Sequence, residues 1–156
     1  MNIKFLLPLA FVISVLTVNT SFSQTSQKPL QHVIYDNNVN APLTSQELNL
    51  IIEVYGEHAE NDILSKPQRL RDIKHILRNR IEVIKVVNKD LSSFENLSTV
   101  PLFTHYNKTL SRDASYNEST FNPLKYQFNF YSREGSKTYR FDNSPYLVTI
   151  KSQNPQ

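Results

Sequence analysis

The clearest alternation of apolar and polar side chains lies in the last quarter of the chain. There Tyr126, Phe128 and Phe130 alternate with Lys125, Gln127 and Asn129. A period of two sends successive side chains to opposite faces of a sheet. Turn-rich breaks at 132–136 and 142–145 set off two further runs, 137–142 and 146–151. The pattern predicts a three-strand antiparallel meander over 125–131, 137–142 and 146–151. Eight of the 17 aromatic residues fall between Phe121 and Tyr146, which places much of the core there.

Upstream the period changes to that of a helix. Leu48, Ile51, Ile52 and Tyr55 follow i, i+3, i+4, i+7 spacing and form one apolar stripe. Thr44-Ser45-Gln46-Glu47 has the form of a capping box, with Leu43 and Leu48 placed as a hydrophobic staple. Gly56 can take the left-handed conformation that ends a helix. The stretch 57–64 is acidic and fits either a further helical turn or a loop. Ser65-Lys66-Pro67-Gln68 repeats the capping form with proline in the first turn, and the helix behind it buries Leu70, Ile73 and Leu77 with Ile76 at the edge. The β-branched run 81–87 reads as a strand with apolar groups on both faces. Residues 88–122 are polar and weakly patterned, with Leu91, Phe94, Leu97, Val100, Leu102, Phe103 and Tyr106 as scattered anchors. A segment of that length hides a short element or serves as a functional loop. The expected fold class is α+β: two N-terminal helices packed on a mainly antiparallel sheet that ends in the C-terminal meander.

The first 23 residues have the layout of a secretory signal peptide. Lys4 supplies the positive region, 5–18 the apolar region, and Ser21-Phe22-Ser23 the small-x-small cleavage pattern. The apolar run is shorter than the roughly 20 residues a membrane anchor needs. Residues 24–43 read as a flexible leader, in which His32-Val33-Ile34-Tyr35 offers at most a short edge strand. A single α+β domain is expected over 44–156, long enough to bury a core without disulfides or metal. The sequence contains no cysteine, which removes lipidation, thiol nucleophiles and thiolate metal sites. Net charge is +3, and one unit of it belongs to Lys4, so the overall balance is mild and only weak evidence for an anionic partner; export and low charge together argue against nucleic acid.

Candidate chemistry is sparse. The two glycines, Gly56 and Gly135, make no phosphate-binding or dinucleotide-binding loop, and no G-x-S-x-G elbow or H-E-x-x-H motif occurs. The four histidines are dispersed; His58 with Glu57 and Glu60 is the nearest approach to a metal cluster. No cofactor or metal is expected. Matches to the glycosylation pattern at Asn96, Asn107 and Asn117 arise readily by chance in an Asn-, Ser- and Thr-rich segment. Two features remain. Arg71, Lys74 and Arg78 fall on one side of the second helix, a basic ridge that would dock a partner or else be a solvated face. Tyr126, Tyr139 and Tyr146 would form a stacking platform for glycan or peptide if exposed, or core if buried. Carboxylate pairs for a small envelope hydrolase depend on spatial separation and cannot be read from spacing.

Val54-Tyr55-Gly56, the run 70–80 from Leu70 to Arg80, the run 121–130 from Phe121 to Phe130, and the close of the chain from Tyr139 to Gln153 together resemble short exported proteins of Bacteroidetes, particularly flavobacteria. The resemblance covers most of the chain after the signal and implies envelope localisation and a Gram-negative source. It brings no catalytic motif. The functional expectation is a non-enzymatic accessory or adaptor subunit of a cell-envelope assembly, in the periplasm, at the outer membrane or released. Its partner would be a larger envelope protein, with no nucleic acid and no membrane span after signal cleavage. The alternatives are the glycan- or peptide-binding module and the carboxylate hydrolase.

Overall fold

Thr44 opens the first helix as its neighbours predict. In the computed structural model, which describes residues 33–87 and 90–153, Thr44 Oγ1 accepts from the Glu47 N–H at 3.1 Å. The Thr44 N–H donates in return to Glu47 Oε2 at 2.8 Å, completing the capping box. The expected signal, 1–23, and the first part of the leader lie outside the described residues. Helix α1 spans Ser45–Tyr55 and stops at Gly56, whose φ of 55° and ψ of −132° are readily open only to a residue without Cβ. Its buried stripe is rotated from the expected one. Val54 is buried together with Ile51, whereas Ile52 is 47% exposed, because residue 54 continues the i+3 row from Ile51.

The acidic connection is helical, with a 3₁₀ turn at Gly56–His58 and a wide π turn at Glu60–Leu64 that buries Ile63. Helix α2, Pro67–His75, starts on the proline with no side-chain cap. The second capping box does not form. Ser65 Oγ donates to the Asn61 carbonyl, and the Gln68 amide reaches Tyr35 and Asp72 instead. A second π turn, Ile76–Arg80, carries α2 into the sheet, where Arg80 Nε donates to the Lys151 carbonyl at 2.8 Å.

Among the described residues four strands form one mixed sheet: β1 (Ile81–Lys85), β2 (Glu95–Asn96), β3 (Lys137–Arg140) and β4 (Tyr146–Ile150), in the order β1-β4-β3-β2. Strand β4 is antiparallel to both β1 and β3, and β2 runs parallel to β3. The α+β class therefore holds, while the meander is shorter than expected. Only β3 and β4 remain of its three strands, and β1 takes the place beside β4. Residues 125–131 form one isolated bridge, Tyr126 to Leu102, and then fold into three-residue turns. In these the Phe128 N–H donates to the Tyr126 carbonyl and the Phe130 N–H to the Phe128 carbonyl. The burial alternation survives only in part: Tyr126 and Phe128 are inside and Gln127 and Asn129 outside, but Lys125, expected outside, is buried, and no ladder accompanies the pattern.

Two apolar clusters make the core. One gathers α1, α2, Ala59 and Ile63 around Leu124; the other gathers the sheet residues Tyr139, Phe141, Val148 and Ile150 with Phe121, Tyr126 and Phe128. Phe130 and Ile81 pack against both. The segment 121–130 is thus a wedge between helices and sheet. Near its start Asn122 is wholly buried. Its Nδ2 donates to the Leu50 carbonyl at 2.9 Å and to Glu53 Oε2 at 2.8 Å, and its Oδ1 accepts from the Leu124 N–H at 3.0 Å. Asn122→Ala should lower unfolding stability by roughly 2–3 kcal/mol in urea titration, since it strands buried partners. A loss below about 0.5 kcal/mol would show that the wedge is not held this way.

Candidate functional site

The residues just ahead of α1 are not a loose leader at their C-terminal end. From Tyr35 to Pro42 they lie along α2, with a 3₁₀ turn at Asn37–Asn40 that buries Val39. This strap turns carbonyl oxygens toward α2, and two cations of the expected basic ridge answer them. Lys74 Nζ, buried, donates to the carbonyls of Val39 at 2.9 Å and Ala41 at 2.7 Å. Arg78 Nη2 donates to the Pro42 carbonyl at 2.8 Å, and Nη1 donates to the carbonyls of Asn38 and Ala41. The Arg78 guanidinium also grips Glu47 through two bonds, Nε to Oε1 at 2.5 Å and Nη2 to Oε2 at 2.7 Å. Arg71 alone of the three is exposed, with its guanidinium 4.3 Å from the Tyr35 ring centroid. The ridge is therefore corrected: Lys74 and Arg78 hold the chain's own strap, and one cation faces outward.

The aromatic platform is corrected as well. Tyr126 is 2% and Tyr139 7% exposed, both in the sheet core, and Tyr146 is half-buried against Tyr116. The three present no common face because the inward positions of the sheet are where large rings gain most from burial. Tyr126 instead belongs to a polar knot. Its hydroxyl donates to Asp113 Oδ2 at 2.8 Å, and Lys125 Nζ reaches Asp113 Oδ1 at 2.7 Å and Glu53 Oε1 at 3.5 Å. The acids that converge here, Glu53 and Asp113, converge on Lys125. Glu57, His58 and Glu60 are all exposed, and among the described residues no group of three acids or histidines could hold a metal ion.

What the fold does build is a cleft over the wedge. A depression of about 610 Å³ runs between α2 and the segments 103–105 and 124–131. A second, of about 360 Å³, shares Tyr55, Ile73, Phe103 and Tyr131 with it and adds Arg69, Asp72 and Tyr106. The walls are rings in mutual contact. Tyr55 lies 6.1 Å from Phe103 and 5.1 Å from Tyr106 between centroids, and His105 meets Tyr106 edge-on at 4.7 Å. Tyr131, 56% exposed, stands at the junction of the two depressions.

Burial pushes the Tyr55 phenol up to about 12, with the neighbouring phenols of Tyr106 and Tyr131 adding to it. Tyr131 is raised by its own burial and by the Asp72 carboxylate. Both phenols thus stay protonated near neutrality, as hydrogen-bond donors rather than bases. The cleft offers apolar walls, phenolic donors, and one charge of each sign at its far end. Sizes of this order and mostly apolar linings are typical of ligand sites. In the sequence Phe103 and Tyr106 stand only as scattered anchors of a polar segment. The one local mark of the cleft is the run Phe103-Thr104-His105-Tyr106, three rings in four residues.

The Glu47–Arg78 pair supplies a pH-dependent test of the strap. Donation from Arg78 holds the Glu47 carboxyl below its ordinary value, and the Thr44 N–H adds to the effect. A carboxyl that titrates lower when folded than when unfolded contributes stability above the unfolded value, about 4.3 for glutamate. That contribution is lost as pH falls through the folded value. Wild type should exceed Arg78→Met by about 2–3 kcal/mol at neutral pH, and the gap should narrow below roughly pH 4 in paired denaturation curves. A gap that stays constant into acid would show that Arg78 acts through its carbonyl contacts alone. Comparison with known protein families, with curated proteins and with solved structures finds no match to this chain.

Proposed function

We propose that this chain is an exported, non-catalytic accessory subunit of a cell-envelope assembly, which docks a larger partner by seating apolar side chains of that partner in the aromatic cleft. The observation that carries the reading is the cleft itself. Four separate segments contribute Tyr55, Ile73, Phe103 and Tyr131 to one continuous, solvent-open apolar surface. Aromatic pockets of this kind act as anchoring points in protein interfaces, where a few well-packed rings carry most of the binding energy. The phenols and the Arg69–Asp72 end supply directional hydrogen bonds at the rim, which suits a peptide backbone emerging from an apolar anchor. Export and envelope location are supported by the signal-like pattern at 1–23, as part of the proposal.

Glycan binding is the second reading. The specific observation in its favour is the same Arg69, Asp72 and phenol grouping beside rings, since sugars present hydroxyls at their edges and C–H groups on their faces.

Photocrosslinking from position 131 in the native host tests the first reading. A crosslink to one envelope protein is expected, with recovery of that protein falling at least about tenfold in a Phe103→Ala, Tyr131→Ala double variant, a loss in line with removing two aromatic anchors. Arg71→Glu should leave recovery unchanged. Undiminished recovery in the double variant, or retention on polysaccharide that depends on the same rings, would overturn the peptide reading.

A further inference from the structure

We propose that the free edge of β1 accepts an extended segment of a partner protein as an added strand, with alternate side chains of that segment lodged in a groove beside it. This surface is separate from the aromatic cleft. In the β1–β4 pair the Val86 N–H donates to the Pro145 carbonyl, and the Lys151 N–H donates to the Arg80 carbonyl, both at 2.8 Å. With Ile81 opposite Ile150, the even-numbered residues of this strand are the ones hydrogen-bonded to β4. The N–H and C=O groups of Val83 and Lys85 therefore point away from β4. They have no hydrogen-bond partner among the described residues, and β1 is the outermost strand on its side.

The two edges of the sheet are managed differently. Strand β2 is two residues long and carries the charged Glu95, which pairs with Lys137 of β3 at 2.9 Å. Short, charged edges of that kind discourage pairing. Strand β1 is longer and carries exposed Ile84, with Val87, 66% exposed, just beyond it. A groove of about 510 Å³ lies beside β1; Leu50, Leu77, Ile81 and Val83 give it an apolar wall, and Thr44, Gln46 and Glu47 line it with polar groups. Of the four strands, β1 alone contributes side chains to it. Glu118 is on its rim, exposed and without an ion-pair partner among the described residues.

An extended chain meets both demands at once. Its backbone presents a donor and an acceptor at every second residue, and its side chains project to one face with the same period. Laid along β1, it would satisfy Val83 and Lys85 while its inward residues enter the groove, the mode by which extended peptides extend exposed sheets. The fitting sequence has branched apolar residues at alternate positions and a basic residue to meet Glu118. A second β1 paired antiparallel about Val83 would set Lys85 against Ile81 at the groove wall, a charge where an apolar group fits. The better occupant is therefore a different chain.

The test uses the purified protein and a fluorescent peptide, acetyl-Lys-Val-Thr-Val-Thr-Val-Lys-amide, followed by anisotropy and by amide hydrogen exchange. Saturable binding is expected, with the Val83 and Lys85 amides of the wild type gaining protection. Lys85→Pro removes one outward N–H without touching the β4 ladder. It should weaken binding about five- to tenfold, as for loss of one hydrogen bond, while Tyr131→Ala leaves binding unchanged. The exchange readout needs no variant and stands even if Lys85→Pro is poorly folded. Absence of saturable binding overturns the proposal. So does binding that Tyr131→Ala abolishes and Lys85→Pro does not, or a Lys85→Pro-sensitive dimer that the peptide fails to compete.

Discussion

Six consecutive residues, Phe121 to Tyr126, are buried between the helices and the sheet, and the polar groups among them must all find partners inside. An unpaired buried amide or amine costs on the order of 1–3 kcal/mol or more, so this stretch can be interior only when its partners are in place. Those partners come from far along the chain. Leu50 and Glu53 on α1 meet Asn122, and Asp113 in the long middle segment meets Lys125 and Tyr126. Helices, wedge and middle segment therefore depend on one another, and the sheet core closes against the wedge through Phe121, Tyr126 and Phe128.

The cleft follows from that constraint. The wedge occupies the seam between two apolar clusters, and the rings that flank it, Tyr55 from α1 and Phe103 from the middle segment, pack against the helical cluster while staying partly exposed where they meet above it. Tyr131 stays more than half exposed because it follows the last three-residue turn of the wedge, one position past the inward-facing Phe130. A packed floor under a solvent-open ring cluster would lower the ordering cost of the docking proposed above.

The strap shows how a charge pattern on a helix misleads when the neighbouring chain is irregular. Arg71, Lys74 and Arg78 have the spacing of a solvated or docking face. Yet the 3₁₀ turn at Asn37–Asn40 and the turn that follows leave carbonyls without donors from secondary structure, and two of the three cations provide them. Backbone acceptors near a helix compete for its cations as effectively as an external partner does, and their demand has no signature in composition.

Local sequence determined the elements whose causes are themselves local. The Thr44 capping box, the stop at Gly56, the helix starting at Pro67 and the β3–β4 hairpin all follow from contacts within a few residues, and so were legible. The alternation at 125–131 correctly told which rings face inward but not what pairs with them, because period-two burial is common to strands and to successive three-residue turns. Only tertiary structure decided that β1 sits beside β4, that Lys74 and Arg78 turn inward, and that Tyr55, Phe103, Tyr106 and Tyr131 share one cleft. Those outcomes rest on hydrogen-bond demand and packing between segments tens of residues apart, which no short window of sequence contains.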